Sequence, residues 1–179
     1  MKILAFGASN SLNSINKKLA TYAATFFENA EVNIIDLNDF EMPLFSIDKE
    51  NKSGHPTEAN HFLTAVGHAD LLIVSMAEHN GSYTVAFKNI LDWASRINGK
   101  VFQNKPMLLL STSTGARGGK SVMEAAKNRF PFHAANIIDT FSLPEFNKNF
   151  SVTDGITDPD LKEAFLSVIQ KTKSQFTIT

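Results

Sequence analysis

Short apolar runs that alternate with helical repeats constrain the fold of this chain more than any other feature of its sequence. Each run is a few residues long and mostly apolar, which is typical of a strand buried on both faces of a parallel sheet. The runs cover residues 3–6, 32–37, 71–74, 107–110 and 136–138. The sequence therefore predicts five buried strands.

The stretches between these runs have the residue spacing of helices. In the first stretch, Ile15, Leu19 and Ala23 fall on one helical face, and near the carboxyl terminus Asp158 and Pro159 form an N-cap followed by proline at the first helical position. Parallel strands separated by helices connect through right-handed crossovers. The predicted fold is α/β, a three-layer, doubly wound sheet of five parallel strands in the order 2-1-3-4-5.

The composition agrees with one globular domain spanning residues 1–179. A net charge of −1 lacks the basic excess of a nucleic-acid binder, and no apolar run approaches the ~20 residues of a membrane span. We expect neither nucleic acid nor a membrane as partner, and the short apolar run at the amino terminus predicts a cytoplasmic protein. Cysteine is absent and the five histidines lack a metal-binding spacing, so we expect no metal, and redox chemistry must come from a cofactor.

The loop after the first predicted strand is rich in small polar residues. Six of the ten residues in 7–16 are serine or asparagine, and the loop runs directly into a helix. Hydroxyls, side-chain amides and the free N–H groups of a first helical turn can surround a phosphate, which the helix dipole also favours. The alternative is that Ser14 is only an N-cap. An N-cap does not explain the whole cluster, so the pattern favours a phosphate site.

The loops after the third and fourth predicted strands lie at the same edge of the sheet. Asn80-Gly81 is a turn signal, and the neighbouring His79 is either a ligand-facing ring or an exposed loop residue. Gly115, Gly118 and Gly119 follow the fourth strand, where they would let the backbone approach a flat or phosphorylated ligand closely. Ligands of such sheets bind outside the carboxyl ends of the strands, near the switch point between strands 1 and 3.

The third of these loops also carries a partial nucleotide-binding signature. Residues 118–121 read Gly-Gly-Lys-Ser, as at the end of a P-loop, yet the position of the first P-loop glycine holds Thr114. A P-loop nucleotide hydrolase is therefore an alternative that the spacing disfavours.

Taken together, the three loops resemble those of the NAD(P)H-dependent FMN reductases of flavodoxin-like fold. That family carries Pro-Glu-Tyr-Asn-Gly-Ser and then Leu-Lys-Asn-x-x-Asp-Trp; here residues 77–82 read Ala-Glu-His-Asn-Gly-Ser and residues 87–93 read Phe-Lys-Asn-Ile-Leu-Asp-Trp. The family's first loop, Gly-Ser-x-Arg-x-x-Ser-x-Asn, aligns with residues 8–16, and its Lys-Pro strand with a glycine-rich ending aligns with residues 105–119. The resemblance extends over nearly the whole chain.

The resemblance implies an FMN-dependent enzyme that takes a hydride from NADH or NADPH and passes electrons, in ping-pong fashion, to free flavin, a quinone, an azo compound or a similar small acceptor. The flavin carries the chemistry, so no catalytic side chain is expected. The first loop would hold the phosphate, and the other two would line the flavin ring. The cofactor-binding residues implied in this way are Ser9, Ser11, Ser14, Ile15, Asn16, Glu78, His79, Asn80, Gly81, Ser113, Thr114, Gly115, Gly118 and Gly119.

The sequence departs from the family pattern at positions that touch the cofactor in this interpretation. The arginine of the first loop is Ser11, which replaces a bidentate guanidinium with a hydroxyl, and the tyrosine of the second loop is His79. A flavodoxin-like electron carrier without nicotinamide turnover is the other alternative, although such carriers tend to be strongly acidic. The family resemblance further implies a homodimer or homotetramer, for which residues 40–45 are either a subunit contact or a folded-back loop.

Overall fold

The computed structural model describes residues 1–176 and shows an α/β fold. Its nine strands are β1 (Lys2–Ala8), β2 (Glu31–Ile34), β3 (Leu71–Met76), β4 (Glu78–His79), β5 (Ser82–Tyr83), β6 (Pro106–Thr112), β7 (Asn136–Leu143), β8 (Phe150–Ser151) and β9 (Gly155–Ile156). Its seven α-helices are α1 (Ile15–Ala24), α2 (Ile47–Ser53), α3 (Thr57–His68), α4 (Val85–Ile97), α5 (Lys120–Arg129), α6 (Phe146–Asn149) and α7 (Pro159–Ser174). Two 3₁₀ helices cover Leu37–Phe40 and Phe130–His133.

The five long strands form one parallel sheet in the order β2-β1-β3-β6-β7. In this register Ala8 lies opposite Met76, and Met76 lies opposite Ser111, so β1, β3 and β6 end at nearly the same level. The predicted strand order is confirmed. The loops that follow these three strands consequently meet at the carboxyl edge of the sheet, where the strand order reverses between β1 and β3.

Helices cover both faces of the sheet, because alternate residues of each inner strand point to opposite sides. Leu4 and Phe6 of β1 belong to the core under α3, α4 and α5, whereas Ile3 and Ala5 belong to the core under α1 and α7. Aromatic rings fill much of the first core, in which Phe6 packs edge-on against Phe62. The three-layer arrangement predicted from the alternating pattern is confirmed for residues 1–176; residues 177–179 of the expected single domain lie outside the described part.

The two edge strands differ from the prediction. All four residues of β2 are exposed, so the expectation of five fully buried strands is wrong for this strand, which has β1 as its only neighbour in the sheet. Burial resumes at Ile35 and Leu37, which the chain reaches after leaving the sheet. At the other edge the expectation of a fully buried strand is also wrong, because Asn136 of β7 is exposed and Ile137 and Ile138 are only half-buried. This strand continues five residues past Ile138, through the half-buried Asp139 and Thr140. Because these half-buried positions hold polar residues, the apolar run in the sequence is shorter than the strand.

Local signals at the turns and caps agree with the structure. The Asn80-Gly81 turn joins β4 and β5 as an antiparallel hairpin, and both turn residues have positive φ, 51° and 77°, as a tight two-residue hairpin turn requires. Asp158 caps α7 by accepting a hydrogen bond from the N–H of Leu161. Within residues 1–176, no helix is both long and apolar enough to cross a membrane.

Candidate active site

The loop between β1 and α1 forms one wall of a cavity at the carboxyl edge of the sheet. Ser14 is the N-cap of α1, and its Oγ accepts the N–H of Lys17 at 3.1 Å, while the Oγ of Ser9 accepts the N–H of Ser11 at the same distance. Both hydroxyl oxygens act as acceptors in these bonds, so both hydroxyl protons remain available to a ligand. The backbone N–H groups of Ile15 and Asn16, in the first turn, have no acceptor within the helix. The wall therefore offers two hydroxyl donors and two backbone donors, which suit an anion.

Close packing at Gly7 holds this wall in place. A Cβ atom added to Gly7 would lie 2.3 Å from the backbone nitrogen of Lys17, far inside van der Waals contact. Only glycine lets the first turn of α1 approach the end of β1 this closely. The expected cradle at the start of the helix thus depends on a residue that does not itself line the cavity.

Asn16 has a different environment from the serines. It is almost completely buried, and its Oδ1 accepts hydrogen bonds from the Oγ of Ser75 at 2.7 Å and the N–H of Thr112 at 3.1 Å. Its Nδ2 donates to the carbonyl oxygen of Thr112 at 3.2 Å. The side chain therefore ties α1 to β3 and β6. One Nδ2 hydrogen and the backbone N–H are what Asn16 retains for the cavity it lines.

The β4–β5 hairpin contributes the second wall. The Oε2 of Glu78 accepts the N–H of Val122, the third residue of α5, at 3.0 Å. This bond replaces the side-chain cap that the N-cap residue of α5, Gly119, cannot provide. His79 and Asn80 at the tip are exposed. Tyr83 anchors the other end of the hairpin against Phe87 and Phe130, and burial raises the pKa of its hydroxyl. The hairpin is fixed at its base and free at its tip.

The third wall comes from the loop between β6 and α5. Ser113 and Thr114 line the cavity, whereas Gly118 and Gly119 are absent from its lining. A Cβ atom on Gly118 would lie 2.9 Å from the backbone of Leu143, and one on Gly119 would lie 3.1 Å from the Cβ of Ser111. Both glycines also have positive φ. Their observed role is to let the loop pack against β6 and the end of β7.

These three walls enclose a cavity of about 260 Å³. It brings together most of the residues expected to bind a cofactor: Ser9, Ser11, Ser14, Ile15, Asn16, Glu78, His79, Ser113 and Thr114. Five others lie near it in the chain but are absent from its lining: Asn80, Gly81, Gly115, Gly118 and Gly119. Asn13, Ala77 and Thr112 line it as well, and their positions within the same three loops are the only sequence signal that pointed to them.

The electrostatics of the cavity depend on neutral donors rather than on a fixed cation. The one charged side chain in the lining, Glu78, is bonded to α5, and no lysine or arginine of residues 1–176 lines the cavity. Lys17, in the first turn of α1, forms an ion pair with Asp36 at 2.6 Å, and this bond lowers the pKa of the Asp36 carboxyl. Serine hydroxyls, backbone N–H groups and the helix dipole remain to bind an anion.

Residues 40–45 fold back onto α4. The N–H of Phe45 donates to the Oδ1 of Asn89 at 2.9 Å, the Nε1 of Trp93 donates to the carbonyl of Pro43 at 2.7 Å, and the Phe45 ring packs edge-on against Trp93. Met42 is buried against the core. Of the two interpretations offered by the sequence, the structure shows the folded-back loop. The Asn and Trp of the family-like 87–93 motif thus position a neighbouring segment.

Fold and site together define a flavodoxin-like α/β protein with a cavity lined by hydrogen-bond donors at its switch point. The family model for NADPH-dependent FMN reductases matches residues 1–148, and the chain belongs to that family. It is therefore an oxidoreductase that uses FMN and NAD(P)H.

Individual relatives agree with this assignment. An Arabidopsis thaliana NADPH:quinone oxidoreductase is 28% identical over 77% of this chain and 72% of its own length. A Burkholderia 2-hydroxy-1,4-benzoquinone reductase is 34% identical over 66% of this chain and 63% of its own length. The structure of the Paracoccus denitrificans flavoenzyme FerB, an NAD(P)H:acceptor oxidoreductase, superposes with a TM-score of 0.74 at 19% identity, covering 97% of each chain, which shows the shared fold.

Proposed function

We propose that this protein transfers electrons from NADH or NADPH to a small acceptor such as a quinone, an azo compound or free flavin, in a ping-pong cycle. Held by the residues of the first cavity, FMN would supply, through its N5 atom, the hydride and electron chemistry between NAD(P)H and the acceptor. For a quinone the reaction balances as NAD(P)H, one proton and the quinone giving NAD(P)⁺ and the hydroquinone. The observation that carries this proposal is the donor-lined cavity at the end of β1, whose chemistry fits a terminal phosphate.

The cavity residues divide into two groups in this proposal. Ser9 and Ser14 donate their hydroxyl protons to the phosphate oxygens, and the backbone N–H groups of Ile15 and Asn16 add the first turn of α1. Ser11 lies at the open side, where its hydroxyl replaces a guanidinium. No side-chain cation is needed, because the helix dipole and neutral donors together stabilise the anion.

The ring of the cofactor is assigned to the other two walls. Glu78, His79, Asn80 and Gly81 would lie along one edge of the isoalloxazine, and the loop from Ser113 to Gly119 along the other. Because Glu78 is bonded to α5, its part is to fix the distance between the two walls. Gly118 and Gly119 would act in the same indirect way, by allowing the loop to pack closely against Ser111 and Leu143.

A second copy of the chain belongs to this proposal as well. Leu44, Ile47 and Val85 are exposed apolar residues on the segment that follows β2 and at the start of α4. Leu44 and Val85 line one cavity and so lie close together, and a contiguous exposed apolar patch marks a surface that meets another subunit. We expect a homodimer or homotetramer, which light scattering on the purified protein measures directly.

Anaerobic stopped-flow spectroscopy tests the activity. Mixing the FMN-loaded protein with NADPH or NADH should bleach the visible flavin absorption, and subsequent mixing with 1,4-benzoquinone should restore it. Double-reciprocal plots of the initial rate against nicotinamide concentration, recorded at several quinone concentrations, should give parallel lines. Intersecting lines would contradict the ping-pong cycle. If neither nicotinamide bleaches a protein that holds FMN, the molecule is an electron carrier. The modest net charge of −1 argues against that alternative.

A further inference from the structure

A second cavity lies on the other side of His79 from the proposed cofactor site. It has a volume of about 280 Å³ and lies between residues 37–44 and the first turn of α4. Among the described residues, His79 is the only one that lines both cavities. The volume is just below the ~300 Å³ at which pockets for drug-sized ligands begin, so the cavity suits a molecule of one or two rings.

One side of this cavity is apolar and held in place. Leu37 and Met42 are buried, and the half-buried Phe40 packs edge-on against Phe62 of the core. The hydrogen bond from Trp93 to the carbonyl of Pro43 fixes the segment that carries Met42. Phe40, together with the exposed Leu44 and Val85, supplies the apolar part of the lining, and the anchored segment needs little ordering when a ring binds.

The polar side chains of the cavity fall into two groups: some form hydrogen bonds within the protein, and others form none within residues 1–176. Thr84 donates its hydroxyl proton to the carbonyl of Ala8, and Asn89 is bonded to residues 42, 43 and 45. By contrast, the side chains of Asn10, Glu41 and His79 make no hydrogen bond or ion pair within residues 1–176. An amide, a carboxylate and an imidazole therefore line the cavity and are able to form hydrogen bonds with a ligand.

The cavity lining carries one carboxylate. Glu41 is the only Asp, Glu, Lys or Arg among the described lining residues. The nearest lysine in the same segment is Lys49, whose Nζ donates to the carbonyl of Leu44 at 2.7 Å from outside the lining. A ligand that carries a negative group would meet the Glu41 carboxylate without a cation in the lining to offset it.

We propose that this second cavity receives the electron acceptor, and that Glu41 makes it selective for uncharged aromatic acceptors over anionic ones. An unsubstituted quinone presents a flat apolar ring to Phe40, Leu44 and Val85, with carbonyl oxygens that accept hydrogen bonds from Asn10 and His79. A sulfonated quinone has the same ring and an added negative charge. This inference rests on the proposed function, because it assigns a substrate class to the same electron-transfer site.

Binding of the reaction product measures the inference without turnover. The probes are hydroquinone and hydroquinone sulfonate, titrated into oxidised, FMN-loaded, ¹⁵N-labelled protein in the absence of nicotinamide. Hydroquinone should shift the amide resonances of residues 37–44 and 84–86. The sulfonate should bind about threefold more weakly, the effect of one partly screened charge.

Glu41→Gln removes the charge and keeps the shape. In this variant the dissociation constant of the sulfonate, divided by that of hydroquinone, should fall close to one. The kcat/KM values for the sulfonated and the unsubstituted quinone should likewise become nearly equal. Glu28→Gln is the matched control, because Glu28 is an exposed glutamate beyond the carboxyl end of α1, at the opposite edge of the sheet. The control should keep the ratio of the unmodified protein.

Three results would overturn the inference. The first is amide resonance shifts confined to residues outside this cavity, and the second is equal affinity of the unmodified protein for the two probes. The third is a ratio of dissociation constants that Glu41→Gln leaves unchanged. Failure of the proposed function is a separate outcome. It would appear as no bleaching by NADPH or no retained FMN, whereas the inference fails alone if the protein reduces quinones but the probes bind elsewhere.

Discussion

The loop of residues 9–16 and the β4–β5 hairpin lie at the same edge of the sheet, yet their polar side chains are used very differently. In the loop, Ser9, Ser14 and Asn16 all accept or donate hydrogen bonds within the protein. At the tip of the hairpin, His79 and Asn80 are exposed and have no side-chain hydrogen bond within residues 1–176. The side chains of the loop are held by hydrogen bonds before any ligand binds. Those at the hairpin tip are not held in this way and can change their contacts when a ligand binds.

This difference separates two tasks that one cofactor site must perform. A phosphate is bound well by donors whose positions are fixed, because no ordering cost remains to be paid on binding. The edge of a reacting ring instead needs a group whose contacts can change during the reaction. We expect changes in the loop to alter cofactor affinity and folding, and changes at the hairpin tip to alter turnover.

The largest effect is expected at Asn16. Asn16→Ala leaves the buried N–H of Thr112 and the hydroxyl of Ser75 without their common acceptor. We expect a loss of about 3 kcal/mol in the free energy of unfolding, because each buried unsatisfied group costs about 1–3 kcal/mol. Urea denaturation monitored by circular dichroism measures this loss.

Asn13→Ala is the matched control for that substitution. Asn13 is an exposed asparagine in the same loop, so its replacement should change stability by less than about 0.5 kcal/mol. If the two variants proved equally stable, the loop would not be braced through Asn16.

A smaller effect is expected at Ser11. Ser11→Arg restores a cation at the open side of the loop, and we expect FMN to bind about fivefold more tightly, since charge-assisted hydrogen bonds are roughly twice as strong as neutral ones. Flavin fluorescence titration gives the dissociation constants. Leu12→Arg, which adds the same charge at a neighbouring exposed residue outside the first cavity, should give a clearly smaller gain. An equal gain would mean that the effect is long-range attraction only.

The smallest effect on affinity is expected at the hairpin tip. His79→Tyr should keep FMN affinity within about twofold, because an exposed group with no partner contributes little to binding. The change should appear in the rate of the acceptor half-reaction, since an imidazole and a phenol differ in shape and in the hydrogen bonds they offer a ligand. Stopped-flow profiles that are identical for both proteins would refute a role for His79 in turnover.

The sequence was sufficient for the strand order and for most of the cavity. Buried runs such as residues 71–74 and the polar cluster of residues 9–16 carry their own signals, since apolarity and helix-start chemistry are local properties. The boundaries of β2 and β7 were not predictable in this way. An edge strand is covered on fewer sides, so its composition no longer matches that of a buried strand.

Within the site, the sequence could predict which loops meet but not how each side chain is used. Glu78 caps α5 from 44 residues away, and Asn16 bonds to Thr112 from 96 residues away. The second cavity depends on residues 37–44 folding against α4, which involves contacts of similar separation. Such long-range contacts are products of the fold and leave no pattern along the chain.

The central claim is that the loop of residues 9–16 binds the terminal phosphate of FMN, and comparison with riboflavin, which lacks this phosphate, tests it most directly. Fluorescence titration of the flavin-free protein should show FMN binding at least about tenfold more tightly than riboflavin, because even one net charge-assisted hydrogen bond is worth about 1.5–3 kcal/mol. FAD, whose phosphate is not terminal, should bind more weakly than FMN. Equal affinities for FMN and riboflavin would contradict the assignment of Ser9, Ser14 and the first turn of α1 to the phosphate.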